Sequence, residues 1–104
     1  MERIICAAIH YRLGDKLVHT CSNIKSGLIV FGLRHGNCFS ILNKIYPDRE
    51  YITNNKDGKV TVQGFLTSEN RFVTRREAAK IAFAAGQIPE NIAKIEFLFS
   101  EDLY

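Results

Sequence analysis

Gly64 to Glu77 reads GFLTSENRFVTRRE, which gathers hydroxyls, an amide, three arginines and two phenylalanines into one short segment. Arginine forks and the free amides at a helix N-terminus both favour phosphate oxygens, and a phenyl face stacks on a base. The segment therefore suits a phosphorylated ligand that carries a heterocycle. The competing reading is a solvated loop in which Phe65 and Phe72 plug the core while Arg71 and Arg75 only decorate the surface. A second cluster, Gly32 to Cys38 (GLRHGNC), lies where an apolar run hands over to a helical pattern, and there Arg34 and His35 are placed to meet an anion. Cys38 with His35 has the residue types of a nucleophile and its base. Their spacing does not itself bring sulfur beside imidazole, and Cys38 reads as a core thiol that opens the apolar face of the helix. His10, inside an apolar strand, reads as a satisfied strand residue.

Several familiar chemistries have no support in this chain. There is no HExxH, no paired Cys or His spacing for zinc, no GxxxxGK[ST] and no GxGxxG, so no metal or cofactor is expected. Glu77 is occupied by a capping box. Glu69, Glu96, Glu101 and Asp102 lie in different segments, so no carboxylate pair marks a general acid and base.

The elements that must position these groups follow from periodicity. Ile4 to Arg12 (IICAAIHYR) is rich in β-branched and aromatic residues, and Leu13 to Lys16 is a turn cluster before Leu17 to Thr20, which predicts a β-hairpin. Gly27 to Leu33 is a continuous apolar run bounded by glycine and predicts a buried central strand. Cys38, Ile41, Leu42, Ile45 and Tyr46 are spaced three and four apart, predicting a first helix over Asn37 to Tyr46 with Asn37 as N-cap and Pro47 closing it. Asp48 to Lys59 is polar and predicts a turn or longer loop before a fourth strand, Val60 to Leu66. Thr74-Arg75-Arg76-Glu77 is a capping box, so a second helix starts at Thr74 and ends at Gly86, and Pro89 keeps it from resuming. The tail alternates Ile95, Phe97 and Phe99 with polar neighbours as a strand does, while Ala93-Lys94 equally fits a short helix. The sum is an α+β fold: a small antiparallel sheet of about four to five strands packed with two α-helices.

The chain has 104 residues, one domain's worth, with 46% hydrophobic and 24% charged residues. That composition fits neither a disordered tail nor a membrane protein. No apolar stretch approaches the roughly 20 residues that cross a bilayer, so no membrane partner is expected. Fourteen Lys and Arg against eleven Asp and Glu give a net charge of +3. This is mild for a general DNA binder, and anionic small ligands stay open. Cys6, Cys21 and Cys38 form an odd set without a CxxC pair or a signal peptide, which points to free thiols in a reducing compartment. A chain this short leaves much of its surface exposed, which favours self-association.

Four blocks together carry a resemblance: GFLTSENRFVTRREAAKIAFAAGQI at Gly64 to Ile88, FSEDLY at Phe99 to Tyr104, IICAAI at Ile4 to Ile9 and RHGNC at Arg34 to Cys38. They resemble the phage Thoeris anti-defence family, type one. The resemblance implies a sponge, a non-enzymatic protein that binds the cyclic ADP-ribose isomers made by bacterial TIR-domain immune enzymes and withholds them, uncleaved, in the cytoplasm of the infected host cell. It implies Arg71 and Arg75 as phosphate contacts, Asn70, Thr67 and Ser68 as ribose or phosphate partners, and Phe65 or Phe72 as the stacking face. It further implies a homo-oligomer, a dimer or hexamer. Some family members also bind cyclic oligonucleotides at separate sites, and Arg34 and His35 with Gly36 are the second anion site this suggests. Two other classes compete. One is an enzyme hydrolysing the cyclic signal, with His35 or a nearby carboxylate as base. The other is a nucleic-acid-binding phage regulator, motivated by a pI near 8.9 and by Arg71, Arg75 and Arg76.

Overall fold

Among the described residues, 4–11 form the strand that is paired along most of its length on both sides. In the computed structural model, which describes residues 1–14, 20–47 and 61–103, strand β1 (Ile4–Tyr11) lies between β2 (Leu28–Gly32) and β3 (Thr61–Thr67). Both pairings are antiparallel, running from Ala7↔Gly32 to Tyr11↔Leu28 on one side and from Ile4↔Thr67 to Tyr11↔Thr61 on the other. A short β4 (Phe72–Thr74) pairs with β3, giving the order β2-β1-β3-β4. With α1 (His35–Ile45), α2 (Arg75–Ala84) and α3 (Glu90–Ala93), the architecture is a small α+β fold: a four-stranded antiparallel sheet with three helices. Among the described residues no helix is long and apolar enough to cross a membrane.

Strand alternation sorts the sheet residues onto two faces. On one, Ala7, Ile9, Tyr11, Leu28, Val30, Phe65 and Val73 pack against Cys38 and Leu42 of α1, Ala78, Ala79 and Ala82 of α2, and Ile88 and Leu98. On the other, Ala8, Ile29 and Phe72 are covered by Cys21 and Ile24. This second cover corrects the sequence expectation for the Gly27 to Leu33 run. Among the described residues β2 is an edge strand and not a central one, and it is apolar on both faces because helix α1 and the segment around Cys21 each bury one of them. Two described strands, not three, precede residue 34. Of the hairpin expected within Ile4 to Thr20, the first arm is β1, which pairs with β2 and β3, while residues 15–19 of its turn and second arm lie outside the described residues. The loop expected at Asp48 to Lys59 also falls outside them.

Two side-chain amides stand in for strand neighbours. The β1–β3 register shifts between Ile4 and Cys6, and there Ile4 N donates to Gln87 Oε1 at 2.8 Å while Gln87 Nε2 donates to Ile4 O at 2.8 Å. At the outer edge of β4, Asn23 Nδ2 donates to Phe72 O at 2.7 Å and receives Phe72 N on Oδ1 at 2.8 Å. Each satisfies a backbone pair that would otherwise be left unbonded in a partly buried place.

The helix termini follow local chemistry. α1 begins two residues before the expected start, because Arg34 is the N-cap and Asn37, at the third helical position, accepts Arg34 N on Oδ1 at 2.9 Å. Of its apolar positions only Cys38 and Leu42 are fully buried, while Ile41 and Ile45 are exposed. The capping box of α2 forms as read: Glu77 N donates to Thr74 Oγ1 at 3.2 Å and Thr74 N to Glu77 Oε1 at 3.1 Å. Gly86 then turns the chain at φ +73°. The tail resolves in favour of the short helix, and residues 94–99 join no strand. Leu98 is fully buried, with its N–H on Arg75 O at 3.0 Å, which leaves Phe97 and Phe99 on its two sides half exposed.

Gln87→Ala removes both bonds to Ile4 and is expected to lower stability by about 1–3 kcal/mol, the cost of stranding buried backbone groups. Thr74→Ala should cost about 1 kcal/mol through loss of the cap. Urea denaturation of the two variants checks both values, and an unchanged midpoint for Gln87→Ala contradicts the role given to its amide.

Candidate functional site

The segment Gly64 to Glu77 folds as a hairpin leading into a helix, not as an open loop. Thr67 N donates to Arg71 O at 2.9 Å and Asn70 N to Thr67 O at 3.0 Å, with Asn70 in the left-handed region at φ 57°. The side chains of Thr67, Ser68, Asn70 and Arg71 turn to other parts of the chain. Arg71 Nε donates to Glu2 Oε2 at 2.8 Å and its terminal nitrogen to Glu2 Oε1 at 2.7 Å, and the Thr67 hydroxyl donates to Glu2 Oε2 at 2.6 Å. Ser68 Oγ accepts Arg3 N at 2.9 Å, and Asn70 Nδ2 donates to Thr20 O at 3.2 Å. An arginine fork plus a hydroxyl is an anion site, and the anion it holds is the carboxylate of Glu2. The hydrogen bonds from Arg71 and then Thr67 pull the Glu2 pKa from 4.5 down to about 2, and Glu2 in turn raises that of Arg71.

The two phenylalanines are on opposite faces of the sheet and neither offers an open ring. Phe65 is fully buried, edge-on to His35 with centroids 5.1 Å apart; Phe72 is buried beside His10 at 5.8 Å. Phe72 also lies over Gly64, where an added Cβ would run into the Val73 carbonyl and the Phe72 ring. The stacking role suggested for Phe65 or Phe72 is therefore unavailable in this fold, because both rings fill its two cores.

The second cluster is likewise turned inward. His35 is buried at the start of α1 with Nε2 2.8 Å from Gly64 O, and burial lowers its pKa, so it is a neutral packing residue at neutral pH. Cys38 donates to Ala7 O at 3.7 Å, and burial pushes its thiol up to about 11, far from a reactive thiolate. Arg34, half-buried, caps α1. Among the described residues, no three His, Cys, Asp or Glu side chains gather as a metal site.

Arg75 is partly committed to the scaffold. It donates to Leu98 O at 2.9 Å and to Gln63 Oε1 at 2.5 Å, and its guanidinium lies 4.7 Å from the centre of the Phe99 ring. Burial lowers its pKa, opposed by Glu101 and Asp102. The next turn outward is open. Arg76, Ala79, Lys80 and Phe83 fall on one face of α2 by their three- and four-residue spacing, and with Ala93 and Glu96 they line a cavity of about 200 Å³. Its walls are mainly apolar. Arg76 lies 5.3 Å over the Phe97 ring and 3.7 Å from Glu96 Oε2. Phe83, Phe97 and Phe99 are 48%, 43% and 45% exposed, so these three aromatic faces on and beside α2 are open to a ligand. Sequence reading passed over them. The signal was a phenylalanine in an otherwise Ala-rich helix and two more flanking a single buried leucine.

The family model described as Phage T4 y16D protein matches residues 3–104. The chain belongs to this phage protein family. No curated protein and no solved structure matches it.

The Glu2–Arg71 pair gives a pH signature. A lowered carboxylate pKa means its stabilisation is fully present above about pH 4.5 and is lost as pH falls through about 2. Glu2→Gln should therefore be less stable than wild type at pH 7, near the upper end of the roughly 0.2–1 kcal/mol of exposed pairs, with the difference closing below pH 4.5. Thermal melts from pH 2 to 7 read this directly, and a pH-independent difference contradicts it.

Proposed function

We propose that this phage protein is a sponge for cyclic ADP-ribose isomers, holding them in the infected cell's cytoplasm without turnover. The observation that carries the reading is the α2 groove, where two cations, Arg76 and Lys80, border an apolar cavity walled by half-exposed Phe83, with the Arg76–Phe97 stack beside it. Cations meet the two phosphates of such a ligand, and an apolar floor with an aromatic wall takes its base. Guanidinium, ammonium and phenyl groups bind and orient a ligand, which suits capture. The resemblance to the anti-defence family supports the same ligand. The groove replaces the β3–β4 hairpin as the place of binding, since the hairpin's arginine fork already holds Glu2.

Ile41 and Ile45 on α1, with Phe31 and Leu33 at the end of β2, are exposed apolar side chains that support assembly into a dimer or hexamer. Light scattering behind size exclusion is expected to give a mass at least twice that of the chain.

Calorimetric titration with the glycosidically cyclised ADP-ribose isomers tests the function. The expected result is tight binding with the ligand recovered chemically intact after heat denaturation. Arg76→Ala and Lys80→Ala should each weaken binding about tenfold, a loss of about 1.4 kcal/mol, while Arg71→Ala leaves it unchanged. Altered ligand makes the protein a hydrolase. Silence toward the isomers together with steeply salt-dependent binding of ordinary oligonucleotides makes it a nucleic-acid binder.

A further inference from the structure

Glu96 is the one carboxylate lining the cavity, beside Arg76 and Lys80. A carboxylate in a phosphate site repels the phosphate unless the ligand also brings it a hydrogen-bond donor. Its backbone is fixed, while its carboxylate is only loosely held. The backbone of Glu96 is in the left-handed region at φ 67°, costly for a residue with a Cβ, and is held there by the bond from Glu96 N to Ala93 O at 3.1 Å. The carboxylate lies 3.7 Å from an Arg76 terminal nitrogen. Both partners of that pair are well exposed, at 59% and 66%, so the contact is weak and the carboxylate is open to a ligand.

We infer that Glu96 is a specificity-determining residue that accepts hydrogen bonds from the free ribose hydroxyls of a nucleoside-diphosphate ligand and rejects ligands with a phosphate at that position. This rests on the nucleotide reading of the groove. A donor that reaches Glu96 must sit near the phosphate that Arg76 holds, and in a nucleoside diphosphate the donors nearest the phosphate belong to the sugar, with the base beyond it. The base then falls on the apolar stretch of Ala79, Ala93 and Phe83. A carboxylate facing a ribose diol is also the general solution for telling a free 2′-hydroxyl from a 2′-phosphate. In a glycosidically cyclised ADP-ribose isomer, one ribose hydroxyl becomes the oxygen that closes the ring, so Glu96 bears on which isomer is preferred.

The test compares ADP-ribose with ADP-ribose 2′-phosphate by titration on wild type, Glu96→Gln and Glu96→Ala. Glu96 is exposed, so the variants keep the core intact. Wild type is expected to favour ADP-ribose by about tenfold or more. Both variants should lose that preference or reverse it, because Arg76 and Lys80 then meet the extra phosphate unopposed. Equal binding of the two ligands by wild type, or a preference that survives in the variants, overturns the role of Glu96 and leaves the nucleotide reading standing. Failure of wild type to bind either ligand while the cyclic isomers do bind also overturns it alone. Silence toward both ligands and toward the cyclic isomers overturns the nucleotide reading together with it.

Discussion

An arginine fork is satisfied by a carboxylate as readily as by a phosphate, and in this chain the β3–β4 hairpin holds the carboxylate of Glu2. That contact joins residues far apart in sequence and fixes the chain just ahead of β1. Thr67 shares the same oxygen, and the backbone and hydroxyl of Ser68 extend the contact to Arg3. With its start pinned to the hairpin, β1 is aligned to pair along both sides, and both cores are built on its alternating residues. The side chains of Thr67, Ser68, Asn70 and Arg71 are thereby engaged in the scaffold, and the proposed function looks elsewhere for groups that meet a ligand.

Under the proposed function they come from the outer surface of α2. Leu98 is the anchor: burying one side chain in an extended tail turns its two neighbours outward, so Phe97 and Phe99 reach the surface together. Arg75 holds Leu98 through backbone and side chain and lies over Phe99, while Arg76 lies over Phe97. The helix face continuing from Arg76 through Ala79 and Lys80 to Phe83 then combines charge, small floor residues and an aromatic wall around one cavity. Scaffold and groove meet at consecutive arginines, and burial separates their tasks.

Much of the architecture was legible in local chemistry. The Thr74–Glu77 capping box, the left-handed Gly86 and the helical spacing of Cys38 and Leu42 all act over a few residues, and the structure keeps each of them. Strand order was not legible, because an apolar run such as Leu28–Gly32 looks the same at the centre of a sheet as at an edge covered on both faces. The candidate site misled for a related reason. Residue types announced an anion site at Thr67 and Arg71, and nothing local reveals that Glu2, 69 residues before Arg71, is the anion. Phe65 and Phe72 looked like stacking faces because a motif does not say which side of a sheet is buried. Phe97 and Phe99 were overlooked because their exposure depends on the burial of Leu98, a single tertiary contact, and Phe83 because nothing local marks the outward side of an Ala-rich helix.

The central claim is that ligand binds the α2 groove and not the hairpin. Amide chemical-shift mapping of the labelled protein during titration with ADP-ribose tests it most directly. The account predicts shifts gathered at Arg76, Ala79, Lys80, Phe83, Ala93 and Glu96, with Thr67 to Arg71 unmoved. Shifts centred on Thr67 to Arg71, or on Arg34 and His35, would contradict it.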